Sequence, residues 1–525
     1  MILISRNSEH TVAAFSLCTN TMQAKISIQR TKINSVEEYI GGVQIINDNQ
    51  TYDFPDGFIL PGFVDSHAHI VGLGIKLLEL SLYSAISETE CCERVMKQQP
   101  IHGDWITGMG WNQELWESKT FPTKFSLDKI SPTTPIYLRR ADGHAAWVNS
   151  YALQLAGIDE TTQDPVGGLI VRDSEGNATG VLIDNAMYLV SHLIPQPSNN
   201  EIRTYIQTAL TQCSKHGLTE IHDMDVPPEY IEIYREMAEQ GLLSCRVQTW
   251  VKGQHDEWSK YGILPAVGEF QQTIGVKFYS DGALGSHGAW LLEKYSDAPE
   301  TVGLALITYD ELLSKSTKAI ENGFHVCTHA IGSAANRLVL NVYKKLRSEG
   351  IASKDVLLRV EHSQIVHPED LQTFEDYHLV ASVQPIHCSS DARMAEKRLS
   401  DRCEYSYPWK TLIDKNVLVC GGSDFPIESH IPLMGIYSFC TRFPFGEQVA
   451  WFEHEIITRE QAIACYTTNA HKAADVDYRR GRLEIGQDAD FVVWDTDLHT
   501  CTNDELLRAQ VLATFVAGKC VYKRE

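Results

Sequence analysis

From about Glu201 onward the chain alternates short apolar strands with amphipathic helices, and this alternation constrains the fold more than any other feature. "EIRTYIQTALTQCSKHG" places Ile202, Ile206, Ala209, Leu210 and Cys213 at helical spacing and stops at Gly217. The strand "LTEIHDM" follows, then the helix "PPEYIEIYREMAEQG" and the strand "CRVQTWV". "GVKFYSD", "GFHVCTHAIG", "LLRVEHSQ", "LVASVQPIH" and "VLVCGGSD" continue the series, mostly separated by helices such as "YDELLSKSTKAIENG" and "AANRLVLNVYKKLRSEG". With "FILPGFVDSHAH" counted as the first, eight strands are expected. Near-continuously apolar strands alternating with helices indicate an α/β fold with a parallel, helix-covered sheet. Eight units indicate a closed (β/α)8 TIM barrel. A doubly wound sheet is the second reading, but it would carry a Gly-rich phosphate loop where this chain has "DSHAH".

Two regions depart from the alternation. Residues 81–200 are rich in Trp, Pro and Gly and are expected to be an insertion after the first barrel strand, a lid or substrate-binding subdomain at the barrel mouth. Both ends of the chain are β-like: "AKISIQR" and "GVQIIND" near one, "LEIGQDADFVVWD" and "VLATFVAGKCVYK" near the other, the last with an Ala-Gly turn. Residues 1–57 and 476–525 are therefore expected to form a small composite β-sandwich, leaving 58–475 as the barrel. A length of 525 residues suits one large and one smaller domain.

Composition narrows the class. With 43% hydrophobic and 22% charged residues the chain is neither disordered nor fibrous. A formal net charge of -23 disfavours phosphate-backbone binding, so no nucleic-acid partner is expected. The thirteen cysteines are scattered, with no C-x-x-C pair, as in a reducing compartment. "MILISRNSEHTVAAFSLCTN" has no signal-peptide pattern and no apolar run is long enough for a membrane span, so the expected location is cytoplasmic.

In such a barrel the chemistry collects at the C-terminal strand ends. On the first strand Asp65, His67 and His69 occupy alternate positions and so share one face. Lys277 lies within "VKFYSDG"; His329, His362 and Asp424 end three further strands. Singly, His362 reads as a hydrogen-bonded rim histidine and Asp424 as a turn or cap residue. Lys277 is harder to dismiss, because a cation between Val276 and Phe278 on a buried strand needs a partner or a lost proton. Together they form a set of imidazoles and a carboxylate suited to a divalent ion, Zn²⁺ or a relative. Two ions need a further bridging ligand, and a buried lysine amine can take up CO₂ to form one. N6-carboxylated Lys277 is placed for that role.

The ordered motifs "LPGFVDSHAH", "GWNQELW", "DGHAAWVNSYAL", "GLTEIHDM", "VKFYSDGALGS", "HAIG", "EHSQ", "SVQPIH", "GGSDFPIE" and "GQDADFVVWD" resemble those of the amidohydrolase superfamily. The resemblance is to its amidohydrolase 3 branch, which includes YtcJ-like proteins and N-substituted formamide deformylases, and runs from about Phe58 to Asp495. It implies a (β/α)8 barrel with a composite β-sandwich, and hydrolysis at a centre of one or two metals. By motif, His67 and His69 would hold the more buried metal and Lys277 would be the carboxylated bridge. His329 and His362 would hold the second metal, and Asp424 would be ligand and proton shuttle. Three features depart from the family pattern: Ser333 follows "HAIG" where Asp is usual, His287-Gly288 stands where Arg-Thr is common, and the first fifty residues match poorly.

The expected activity is cleavage of an amide-like, non-peptide carbon–nitrogen bond of a small molecule by a metal-activated hydroxide, with Asp424 moving the proton. His144 is expected to bond the carbonyl oxygen or oxyanion, or else to pack in the lid beside Trp147. Gln384 and His387 are substrate-contact candidates, Trp111 and Trp116 candidate pocket walls. Asp65 is expected to orient an imidazole, and His222 to be structural. A mononuclear deaminase of the same superfamily, which lacks the bridging lysine, and a non-catalytic regulatory relative are the alternatives. A homodimer is a family-level expectation.

Overall fold

The computed structural model describes residues 23–39, 41–47 and 50–525; the signal-peptide reading of the first twenty residues lies outside them. Val71–Thr208 form one compact unit and the described residues outside that range form another.

In the larger unit eight parallel strands pair strictly in chain order: Phe63–Ala68, Leu218–Val226, Arg246–Lys252, Gln271–Tyr279, His325–Ala330, Leu358–His362, Val380–Val383 and Leu418–Gly421. Past the eighth strand the Asp424 N–H donates to the His67 carbonyl at 2.7 Å, bringing the last strand back to the first. This is a TIM-type barrel, and all eight expected strands contribute to it. Several strands, such as Phe63–Ala68 and Leu358–His362, are buried at every position, as an inner sheet requires. The intervening helices carry their own boundary signals. Tyr309–Glu321 starts at a Thr308/Glu311 capping box, and Gly323, with φ +86°, ends it before the next strand.

The structure corrects the reading of "FILPGFVDSHAH" as one strand. It breaks at Gly62. Phe58–Pro61 runs antiparallel to Phe491–Trp494, whereas Phe63–Ala68 runs parallel to Leu218–Val226. The Gly62 N–H donates to the Asp490 carbonyl and the Phe63 N–H to that of Gly217, so consecutive amides serve two sheets. A Cβ on Gly62 would stand 2.1 Å from Thr219 Oγ1 and collide with that side chain, so glycine lets Thr219 pack against the chain at this point. Gly62→Ala is expected to cost about 1–3 kcal/mol through overpacking. Denaturant unfolding checks this, and an unchanged midpoint would show that Thr219 moves aside freely.

Phe58–Pro61 thus belongs with the strands of the chain ends. One four-stranded sheet contains Ala24–Gln29, Lys32–Glu38, Gly42–Asn47 and Gln50–Pro55; another contains Phe58–Pro61, Phe491–Trp494, Val511–Val516 and Lys519–Lys523. Alternate residues of both, including Ile26, Ile45, Val493 and Phe515, meet in one core. Ala517 and Gly518, both at positive φ, make the turn before the last strand. In "LEIGQDADFVVWD" only Phe491–Trp494 is a strand, because Asp488 and Asp490 are engaged by Arg480 and Arg246.

The Val71–Thr208 unit holds a six-stranded mixed sheet from Leu80–Ser81 to Ala178–Asp184. Alternating residues feed two separate cores. Trp111, Trp116 and Trp147 pack in one; Tyr137, Ala146 and Leu182 pack in the other. The Trp-rich stretch is therefore a domain with its own interior. Among the described residues no helix is long and apolar enough to cross a membrane.

Candidate metal centre

His67 and His69 leave the first barrel strand and its end, Lys277 rises from the fourth strand, and His329 and His362 end the fifth and sixth. Asp424 follows the eighth. All six, together with His387, line one cavity of about 410 Å³. His362 and Asp424 hold φ of +71° and +59°, left-handed conformations that non-glycine residues rarely adopt. Such backbone persists where surrounding structure over-determines it, as at functional sites.

The tautomers follow from the hydrogen bonds. His67 Nδ1 donates to Glu361 Oε2 at 2.6 Å, which leaves Nε2 bare, 3.7 Å from Asp424 Oδ1. His69 Nδ1 donates to the Met224 carbonyl at 3.1 Å, which leaves its Nε2 3.2 Å from the same oxygen. A lone pair and a carboxylate oxygen at that separation need a cation or a proton between them. Ligand atoms of His67, His362 and Asp424 all lie within 4.8 Å of one another. The His329 and His362 rings are 4.4 Å apart.

Burial sets the protonation states. It pushes His67 down to about 4, aided by the Lys277 charge, and His329 down to about 3 for the same two reasons. His362 is driven well below the ordinary range by burial and by its histidine neighbours. Burial opposes ionisation of Asp424, but the His69 hydrogen bond and adjacent imidazoles outweigh it and hold the carboxyl below its usual range. His67, His329 and His362 are thus neutral imidazoles beside an ionised carboxylate, the form that binds metal, while His69, whose burial opposes a charge, is drawn upward overall by its Asp424 hydrogen bond. Lys277 Nζ, His329 Nε2, His362 Nδ1 and His387 Nε2 are buried and make no hydrogen bond. Buried polar groups seldom stay unpaired without a functional reason. The donor set fits a divalent cation.

Residues 50–522 match the family model described as the amidohydrolase family. The chain belongs to the amidohydrolase family. It is 34% identical over 480 residues to the putative amidohydrolase YtcJ of Bacillus subtilis (strain 168), covering 89% of each chain. It is also 34% identical over 487 residues to the protein LONG AFTER FAR-RED 3 of Arabidopsis thaliana, covering 88% of this chain and 82% of that one. The crystal structure of an uncharacterized metal-dependent hydrolase from Pyrococcus horikoshii OT3 shares the fold, with a TM-score of 0.74 at 22% identity, covering 92% of this chain and 99% of that one.

Three expectations about this amidohydrolase need correcting. Trp111 does not wall the cavity: it is fully buried, and its indole N–H donates to the Leu138 carbonyl in the core it shares with Trp116. Large insertion aromatics were needed to fill that core. Gln384 is buried at the end of the seventh strand, folds its amide toward the Ser382 carbonyl at 3.4 Å, and is not among the cavity-lining residues. His144 belongs to the Val71–Thr208 unit, where its exposed ring pairs with Asp184 at 2.8 Å. Asp65 makes no hydrogen bond to an imidazole among the described residues. Its Oδ1 accepts from the backbone N–H groups of His67 and Ser423, and its Oδ2 from the Ser423 hydroxyl at 2.6 Å. Its short side chain reaches backbone, so it fastens the first strand to the loop that presents Asp424.

The orienting carboxylate is Glu361, which the sequence reading missed. Arg359 donates to Glu361 Oε1 at 2.9 Å, to the Ser66 carbonyl at 2.7 Å and to Ser382 Oγ at 3.0 Å. Its guanidinium stacks 4.7 Å over Trp250. Another of its nitrogens lies 3.1 Å from His222 Nδ1, so His222 is a buried structural residue. A signal existed: "RVE" puts two opposite charges on one face of a wholly buried strand, where each needs a partner.

Proposed function

We propose that the protein hydrolyses an amide-like, non-peptide carbon–nitrogen bond of a small molecule, with Zn²⁺ as the ion and carboxylated Lys277 bridging where two ions bind. One observation carries this reading: a buried lysine amine without a hydrogen-bond partner stands among four histidines and an ionised aspartate at the strand ends. One relative, 25% identical over 547 residues and covering all of this chain and 98% of that one, is the N-substituted formamide deformylase of Arthrobacter pascens. On the same reading the two terminal sheets form the composite β-sandwich.

His67, His69, His329, His362 and Asp424 would hold the metal. A divalent ion there supplies Lewis acidity and lowers the pKa of water toward neutrality. Lys277 adds its amine to CO₂ with loss of one proton, converting a lone nitrogen into an anionic two-oxygen group. Glu361, held by Arg359, keeps the His67 proton on Nδ1 and its lone pair inward. Asp424 accepts a proton from the attacking water and returns it to the leaving nitrogen as the new carbon–oxygen bond replaces the carbon–nitrogen bond. His387 Nε2 lies 3.9 Å from Asp424 Oδ2, which supports a substrate contact beside that proton path.

Protein prepared without chelator is expected to carry two divalent ions per chain, and Lys277→Met to carry at most one, by elemental analysis. One ion in the wild type with unmodified Lys277 by mass spectrometry would instead leave a mononuclear reading. The metal-loaded protein is expected to turn over at least one class among alkyl formamides, N-acyl amino acids and lactams. No turnover on any of them would favour the non-catalytic relative.

A further inference from the structure

The cavity that holds the metal cluster is lined by two further carboxylates, Asp391 and Glu428. The helix Pro385–Leu399 lines it with His387, Asp391 and Met394, spaced i, i+4 and i+7 on one face. Asp391 therefore stands one turn beyond His387, about 6 Å along the axis. Both hydrogen bonds to Asp391, from the Tyr407 hydroxyl at 3.0 Å and from Gln364 Nε2 at 3.5 Å, end on Oδ2. Among the described residues Oδ1 accepts none. Glu428, beyond the eighth strand, lines the same cavity and accepts Ser390 Oγ on Oε1 at 2.6 Å.

Neither carboxylate has a Lys or Arg partner among the described residues. No arginine lines the cavity, and Lys277, within the metal cluster, is its single lysine. Leu284, Ile331, Met394 and Ile427 supply apolar lining. His362 Nδ1 and Lys277 Nζ, on side chains more than nine-tenths buried, make no hydrogen bond and line this same cavity, Lys277 resting over the Tyr279 ring at 5.1 Å, which marks the cavity as a ligand site apart from the two acids.

We propose that this cavity selects amides carrying a second, protonated nitrogen, an ammonium or guanidinium group joined to the scissile amide by a short apolar spacer, with Asp391 and Glu428 receiving the cation. The substrate part of this rests on the hydrolysis proposed above. A spacer of about four carbons matches one helical turn between His387 and Asp391. Water adds oxygen to the acyl carbon, the carbon–nitrogen bond breaks, and the product is a carboxylic acid plus an amine whose distal ammonium or guanidinium group is unchanged. An anionic tail would meet two carboxylates and no arginine, so N-acyl amino acids become the least suited of the three open classes.

The test compares three formamides of equal length: N-formyl-1,4-diaminobutane, N-formylbutylamine and N-formyl-4-aminobutanoate. A charge-assisted hydrogen bond predicts kcat/KM for the cationic compound about tenfold or more above the neutral one, mainly through KM, with the anionic compound lowest. Asp391→Asn is expected to reduce the cationic-to-neutral ratio at least about fivefold, and 0.5 M salt to narrow it. If Asp391→Asn does not fold, Glu428→Gln serves, with the same direction. Equal or better turnover of the neutral or anionic compound, or a ratio unmoved by the variants, overturns the selection while leaving hydrolysis standing. Calorimetry with 1,4-diaminobutane and butyrate separates the two readings. Asp391-dependent diamine binding without turnover of any of the three formamides tells against formamide hydrolysis and keeps the cation site. Butyrate binding as tightly as the diamine refutes the site itself.

Discussion

Asp424→Asn is expected to lower kcat/KM at neutral pH by about a thousandfold, roughly 4 kcal/mol of transition-state stabilisation, while the fold is retained. An amide cannot accept the proton of the attacking water, nor return it to the leaving nitrogen. It also withdraws the negative charge that faces His67 and His69 Nε2. Retention of the fold follows from the backbone. Asp424 has φ +59°, and asparagine is among the non-glycine residues that tolerate that region best. The Asp65–Ser423 hydrogen bonds that present the loop do not involve its side chain. Steady-state kinetics and thermal melting decide the matter. Activity within about tenfold of wild type, with the melt unchanged, would remove Asp424 from the proton path.

Arg359→Met is expected to destabilise the barrel by about 3–5 kcal/mol, because it strands the Glu361 carboxylate without its cation in a dry interior. Stacking on Trp250 and three further hydrogen bonds are lost with it. The pH dependence has a definite sign. Burial opposes ionisation of Glu361, yet Arg359 and His67 together hold its carboxyl below the ordinary range. A group depressed in the folded state contributes stability that is present above the unfolded carboxylate value of about 4.3 and is lost as pH falls below it. Without Arg359, burial lifts the Glu361 carboxyl above that value, so the variant takes up a proton and recovers stability as pH falls, and the gap between wild type and variant is expected to shrink from pH 7 to about pH 4. Denaturant unfolding at the two values measures it, and a constant gap would assign the loss to packing on Trp250.

How far the molecule is legible from its chain depends on range. The eight barrel strands were readable because each is buried on both faces and each following helix repeats every 3.6 residues. The break at Gly62 was not, since "ILPGFVDSHAH" is apolar on both sides of it and only Thr219, more than 150 residues away, demands a glycine there. The Trp-rich stretch shows the same limit: Trp111 beside polar residues looks like a binding wall until a separate sheet encloses it. Gln384 and His387 sit three residues apart at one strand end, yet one turns inward to Ser382 and the other lines the cavity.

By itself the chain determined the barrel and the identity of the groups gathered at its mouth, because strand order and strand-end position are local properties repeated eight times. Only the tertiary structure decided which carboxylate orients His67. Asp65 is two residues away and bonds backbone; Glu361 is 294 residues away and bonds the ring. It also decided that Asp391 and Glu428 share a cavity that holds no arginine and only one lysine, Lys277. Orientation and charge balance depend on which side chains meet across the barrel, and closure of the sheet, not adjacency along the chain, sets those meetings.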